Sequence, residues 1–280
     1  MTTTGMLLAL VLGCGGGPSR TLLQDKGSDT MVNLMQRMSE EYTKEHPTVI
    51  VAVTGGGSGT GIKALIDGTT DMANCSRPMS DEEKALAEKN GVHPHETVVA
   101  YDGLSIYVNK DNPIERIDFE QLKCIYGASG TCNHWSDLGV TLDCGGTDEI
   151  VKIGRQNNSG TYEYFREEVL GDEGKFTNTL DQSGTQQVVD VVGTSKCAIG
   201  YGGMGYHTES ARFACLAKAT DGPCAEPTIE TVKQGAYVFA RPLYVYTNGA
   251  PTGEVSTFLD WARAESGQKV AIDSGFVPLK

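Results

Sequence analysis

From Gly27 onward the apolar positions fall into two rhythms that alternate along the chain. Met31, Leu34, Met35 and Met38 recur at three- and four-residue intervals and predict a helix reaching Glu45. Val49–Val53, Asp71–Cys75, Glu149–Ile153 and Cys197–Tyr201 are short apolar or β-branched runs, each predicted as a strand. Helical patterns recur at Ile62–Asp67, Ser80–Glu88, Asp118–Tyr126, Tyr162–Leu170, Gln186–Val192, Ser256–Glu265 and Gln268–Ser274. Strands that alternate with helices in this way predict an α/β fold with parallel-rich sheets. Two longer stretches, Val98–Asn109 and Ala236–Thr247, read as extended throughout. The first is interrupted by Asp102-Gly103, which suggests a strand that bends as it passes between two lobes. Two such crossings predict a cleft.

The candidate chemistry lies where predicted strands meet helices. Thr54-Gly55-Gly56-Gly57-Ser58-Gly59-Thr60-Gly61 follows Val53, and so many glycines let backbone approach an anion of phosphate size closely. Lys63 lacks the spacing of a Walker A loop, and glycines do not flank Ser58 as in a nucleophile elbow. In Gly154-Arg155-Gln156-Asn157-Asn158-Ser159-Gly160-Thr161, two hydroxyls sit at a helix start and a guanidinium arrives from the strand end. Unpaired amides, hydroxyls and an arginine fork make an oxyanion cradle. Ser28 and Thr30 repeat that arrangement after Gly27, and Ser76-Arg77-Pro78 sets a second arginine at a strand end. Gly200, Gly202 and Gly205 match the dinucleotide fingerprint by letters, but no convincing helix follows, so the match is discarded. His93-Pro94-His95 is isolated and reads as a surface loop.

Composition narrows the partners. The 280 residues are 39% hydrophobic and 21% charged, ordinary for a globular chain of one large or two medium domains. A formal charge of −13 opposes nucleic acid and anionic lipid surfaces, so an anionic ligand needs local donors.

The first thirteen residues carry no charge, and Val11-Leu12-Gly13-Cys14 looks like a lipobox, which predicts cleavage before Cys14 and lipid on its sulfur. Gly15-Gly-Gly-Pro-Ser19 is then a tether, making 1–20 leader and tether. No Lys or Arg stands before the apolar run. Eight cysteines suggest an oxidising compartment, and seven remain if Cys14 is lipidated. Spacing suggests Cys215 with Cys224 and Cys132 with Cys144 as local loops, leaving Cys124 with Cys197 and Cys75 free. No CxxC pair occurs, so disulfides rank above zinc.

Taken together, Gly27-Ser-Asp-Thr30, Gly55–Gly61, Ser76-Arg-Pro78, Tyr101-Asp-Gly103, Asn133-His-Trp135, Gly154–Thr161, Ile199-Gly-Tyr201, Arg241-Pro-Leu-Tyr244 and Gly275-Phe-Val-Pro278 resemble the phosphate-binding proteins of bacterial phosphate ABC importers. The resemblance covers about residues 27–280 in order, with Cys75 and Asn157-Asn158 as departures. It implies a two-lobe periplasmic-binding-protein fold with two crossovers, one lobe from 21–104 plus 238–280 and the other from 105–237. Implied phosphate contacts are Ser28, Thr30, Ser58, Gly59, Thr60, Ser76, Arg77, Asp102, Arg155, Ser159, Gly160 and Thr161. It further implies an extracytoplasmic monomer, anchored through Cys14, that serves a membrane permease and its ATPase, with no cofactor, metal or catalytic residue. Asp102, if ionised, can only accept hydrogen bonds and would favour an anion that keeps a proton, phosphate over sulfate. Competing readings are a receptor for molybdate, tungstate or sulfate, a phosphate sensor, and a phosphoester hydrolase. The last lacks a nucleophile elbow, a zinc-type histidine motif and a carboxylate cluster.

Overall fold

A computed structural model describes residues 20–280. The leader, the lipobox at Cys14 and the tether as far as Ser19 lie outside the described residues. In chain order the elements are β1 Thr21–Gly27, α1 Val32–Glu45, β2 Val49–Thr54, α2 Ser58–Ile66, β3 Met72–Cys75, α3 Asp81–Lys89, β4 Pro94–Asn109, β5 Arg116–Asp118 and α4 Phe119–Tyr126. After a long looped segment come β6 Val151–Arg155, α5 Gly160–Phe165, β7 Leu180–Gln182, α6 Thr185–Thr194, β8 Ala198–Gly203, β9 Ala211–Phe213, β10 Cys215–Ala217 and β11 Cys224–Ala225. The chain closes with α7 Ile229–Lys233, β12 Ala240–Asn248, α8 Gly253–Arg263 and α9 Glu265–Asp273.

The main sheet runs β2-β1-β3-β12-β4-β8-β6-β7, with β9 also on β4. Its two flanks, β2-β1-β3 and β8-β6-β7, are parallel, as the alternation predicts, while the two long strands at its centre pair antiparallel. Along β4, residues Pro94 to Gly103 face β12 and Leu104 to Val108 face β8, so the sheet changes partner beside Asp102-Gly103. The stretches read as extended are the two long central strands, except that Ala236 to Phe239 form a turn before β12 begins at Ala240. β1 precedes the predicted start at Gly27. Leu23 is its one buried large apolar side chain, Leu22 is exposed, and so little periodicity marks it.

Three apolar clusters fill the layers. One joins Met35, Met38 and Tyr42 of α1 to Phe258 and Leu259 of α8 and runs on through Tyr107 to Val188 and Val192 of α6. A second gathers Trp135, Tyr126, Phe165, Tyr201 and Phe239. A third packs Ile62 and Leu65 of α2 against Cys75, Met79 and Tyr246. His95 belongs to β4, opposite Thr247, and is not on a loop; His93 precedes the strand, exposed, 2.8 Å from a Glu88 carboxylate oxygen.

The disulfides correct two of the three expected pairings. Cys215 joins Cys224 and Cys75 is free and buried, but the other bonds are Cys124–Cys132 and Cys144–Cys197. A turn after α4, closed by Gly130 N–H on the Gly127 carbonyl, carries Cys132 back to Cys124. The following loop folds over the start of β8, where Trp135 donates to the Cys197 carbonyl and Lys196 to that of Asp143. Separation along the chain is a poor guide once a loop is pinned from both sides.

Candidate functional site

Four strand-to-helix turns meet between the flanks of the sheet. In the first, Gly27 has φ +148° and stands so close to Asn74 that a Cβ would overlap its carbonyl, while Ser28 N–H donates to that carbonyl at 2.8 Å. In the second, Gly56 and Gly57 have φ of +115° and +90°, a conformation glycine adopts without steric cost, and they deliver Ser58 to the first turn of α2. The third ends β3 at Ser76. The fourth is capped by Ser159, whose hydroxyl accepts from Thr161 N–H and Tyr162 N–H.

Their hydroxyls form two bonded groups. Ser28 Oγ donates to Ser76 Oγ at 2.9 Å, Ser76 N–H donates to Ser58 Oγ at 3.1 Å, and Thr30 Oγ1 lies 2.8 Å from Thr161 Oγ1. Gly160 faces Ser58 and Ser76 so tightly that a Cβ there would overlap the Ser58 hydroxyl. Ser28, Thr30, Ser58, Ser76, Ser159 and Thr161 are all buried. Six buried hydroxyls that bond to one another and to turn amides make a polar interior rich in groups able to donate to an anion.

Arg155 is buried beside them. It donates to the Thr185 hydroxyl at 3.1 Å and to Asp29 Oδ2 at 3.3 Å, while its Nε has no partner. Burial pushes this guanidinium below its usual range, with Asp29 opposing the shift. Asp29 in turn accepts from Gly56 N–H at 2.8 Å, tying the first turn to the second and the fourth.

The remaining predicted contacts are placed differently. Arg77 forms a fork with Glu83, at 2.7 and 2.8 Å. The Gly59 amide donates to the Asn158 carbonyl and the Thr60 amide to that of Gly57. Asp102 is fully buried and ion-paired with Arg241, its register partner across β4 and β12, at 2.9 Å. Burial pushes the Asp102 carboxyl up, while the Arg241 guanidinium and Met204 N–H oppose that rise.

Asp29, Asn158 and Arg241 stood in none of the predicted contacts. Asn158 Nδ2 donates to the Gly56 carbonyl at 2.8 Å, joining the second and fourth turns. Arg241 was visible only within the Arg241-Pro-Leu-Tyr244 motif; its strand register is what brings it to the site. Among the described residues no group of three or more His, Cys, Asp or Glu could hold a metal.

A profile of the PBP superfamily domain matches residues 15–265. The chain belongs to this superfamily. The phosphate-binding protein PstS of Pseudomonas aeruginosa is 37% identical over 268 residues, covering 92% of this chain and 83% of its own length. The protein of that name from Staphylococcus saprophyticus is 33% identical over 289 residues, covering 99% and 88%. Among solved structures, an ABC transporter substrate-binding protein from Clostridium perfringens with bound phosphate superposes with a TM-score of 0.82 at 26% identity, over 93% of this chain and all of that one. An ABC-type phosphate transport receptor from Vibrio cholerae gives 0.70 at 25%, over 92% and 100%. This chain shares its fold with these relatives.

Proposed function

We propose that this chain is an extracytoplasmic receptor that binds inorganic phosphate between its lobes and delivers it to an ABC-type importer. The buried hydroxyl cluster beside Arg155 carries the reading, and the names of the relatives point to the same ligand. Ser28, Thr30, Ser58, Ser76, Arg155, Ser159, Gly160 and Thr161 form the cradle, with Gly59, Thr60, Arg77 and Asp102 around it. Hydroxyls, helix-start amides and a guanidinium offset the desolvation of a tetrahedral dianion. Residues 21–104 with 238–280 form one lobe and 105–237 the other, so β4 and β12 supply the hinge. Closure buries the anion, and the importer recognises the closed form.

A thermal-shift panel of phosphate, arsenate, sulfate and molybdate tests the ligand, because binding to the native state alone raises apparent stability by RT ln(1 + [L]/Kd). Phosphate and arsenate should raise the midpoint. A larger shift with molybdate or sulfate would reassign the receptor.

The same reading places the chain outside the cytoplasm, a monomer held to the membrane by lipid on Cys14. Three disulfides accord with that compartment, and no helix among the described residues is long and apolar enough to cross a membrane. Mass spectrometry of the membrane fraction should find an acylated N-terminal Cys14, and sedimentation a single chain. The relatives named above are binding proteins, and we assign no catalytic step. A chromogenic phosphate ester should stay intact when incubated with the chain.

A further inference from the structure

Arg241 is a second buried guanidinium at the hydroxyl cluster. Its Nε and Nη2 donate to one oxygen of Asp102, at 3.1 and 2.9 Å, and Met204 N–H donates to the other at 3.0 Å. Nη2 also reaches the Thr161 hydroxyl at 3.0 Å and that of Thr30 at 3.5 Å, while Nη1 is buried without a partner. The guanidinium stacks over the Tyr164 ring, its Cζ 5.4 Å from the centroid.

A guanidinium only donates. Its N–H groups therefore occupy acceptor positions on the two threonine oxygens and turn their protons away from it. Those oxygens lie 2.8 Å apart, so one hydroxyl proton is spent between them and the other is left for a third group. Asp102 meanwhile takes three donors, all from the protein, two of them from Arg241 on one oxygen and Met204 N–H on the other.

We infer that Arg241, held in place by Asp102, is a positioning residue that orients the bonded Thr30–Thr161 pair so that its one free hydroxyl proton is donated to the bound anion. Asp102 then serves the guanidinium, in place of the role expected from the sequence, which was to accept the ligand's proton. This deepens the phosphate reading and rests on it. An anion against the two threonines also brings a countercharge to a guanidinium whose Nη1 is otherwise unpaired, a costly state in a dry site.

Calorimetric titration of the purified chain with inorganic phosphate and with sulfate, beside thermal melts, decides the matter. Asp102→Asn keeps an acceptor oxygen and the packing volume but removes the countercharge; it should weaken phosphate binding about tenfold and leave the phosphate-to-sulfate ratio nearly unchanged. A selective gain of sulfate binding would show Asp102 to be the ligand's acceptor and overturn the inference. Asp102→Asn with Arg241→Met removes both charges, so neither is left buried alone. In that background Thr161→Val should cost less affinity than in the wild type, because the hydroxyl is no longer oriented; equal costs in both backgrounds would overturn the inference. A wild-type chain that binds no phosphate sinks the function itself and this inference with it. Wild-type binding that Asp102→Asn leaves unchanged sinks only the inference.

Discussion

The flank of the sheet built on β2-β1-β3 and the flank built on β8-β6-β7 are held together by different means. The first is packed by regular helices: α1, α8 and α9 contribute Met35, Met38, Tyr42, Phe258, Leu259 and Ala271 to a cluster that continues into α6, and among the described residues no disulfide lies in this flank. The second carries a looped segment between α4 and β6 and short strands from β9 to β11, and the three disulfides among the described residues lie in these parts or tie them to α4 and to the residue before β8. Helices satisfy their own backbone groups, parallel strands satisfy one another's, and both bury continuous apolar faces. Loops do neither well, and covalent links limit the unfolded states available to them. One fold thus uses packing where its elements are regular and cross-links where they are not.

Breaking the longest cross-link should have the largest effect. Replacing Cys144 and Cys197 together by serine frees a 53-residue span and should cost about 4 kcal/mol in denaturant unfolding by the chain-entropy account. Hydrogen exchange should then rise in the 131–150 loop and around β8 while α1 and β2 stay protected. Equal loss of protection on both flanks would erase the contrast.

Met35→Ala, on the flank without cross-links, should cost about 3 kcal/mol through cavity formation. The penalty should be the same with and without reductant, and a reductant-dependent penalty would mean that the cross-links also hold the first flank.

Asp25 sharpens the comparison from another direction. It is buried under the first turn, held by Asn74 Nδ2 at 2.7 Å, and burial pushes its carboxyl up to about 7, with the Asn74 bond opposing the shift. A carboxyl raised in the folded state stabilises fully below its unfolded value, and that contribution is lost as pH climbs through the folded one. Stability should therefore fall by up to about 1.4 kcal/mol per pH unit between pH 4 and 7 from this group. Asp25→Asn should flatten that slope, whereas the disulfide variants should keep it. An unaltered slope in Asp25→Asn would place the titration elsewhere.

The smallest effect on stability is expected where the flanks meet. Asn158 is exposed and bridges to Gly56 and to Thr60 Oγ1, at 2.8 and 3.3 Å. Asn158→Ala should cost about 1 kcal/mol or less in unfolding yet speed phosphate release several-fold in stopped-flow, because the lost bond joins the two lobes of the proposed receptor. Unchanged release would deny Asn158 a part in closure.

Much of this was legible in the chain itself. Amphipathic spacing located α1, β-branched runs located β2 and β6, and the glycine-and-hydroxyl junctions marked the turns that meet at the site, since local backbone needs leave local signatures. β1 escaped because one buried apolar residue makes no pattern. The cysteine partners escaped because pairing depends on how the loop after α4 lies over β8.

What the sequence determined alone is the inventory: which residues turn, which face inward, and which can donate to an anion. The tertiary structure decided the employment of each charge. Arg77 was turned to Glu83, Arg155 to Asp29, and Asp102 to an arginine 139 positions away along the chain. For Asp102 the partner is set by strand register, which comes from the pairing of the whole sheet and not from any single stretch; for Arg77 and Arg155 it is set by how the turns at the strand ends pack.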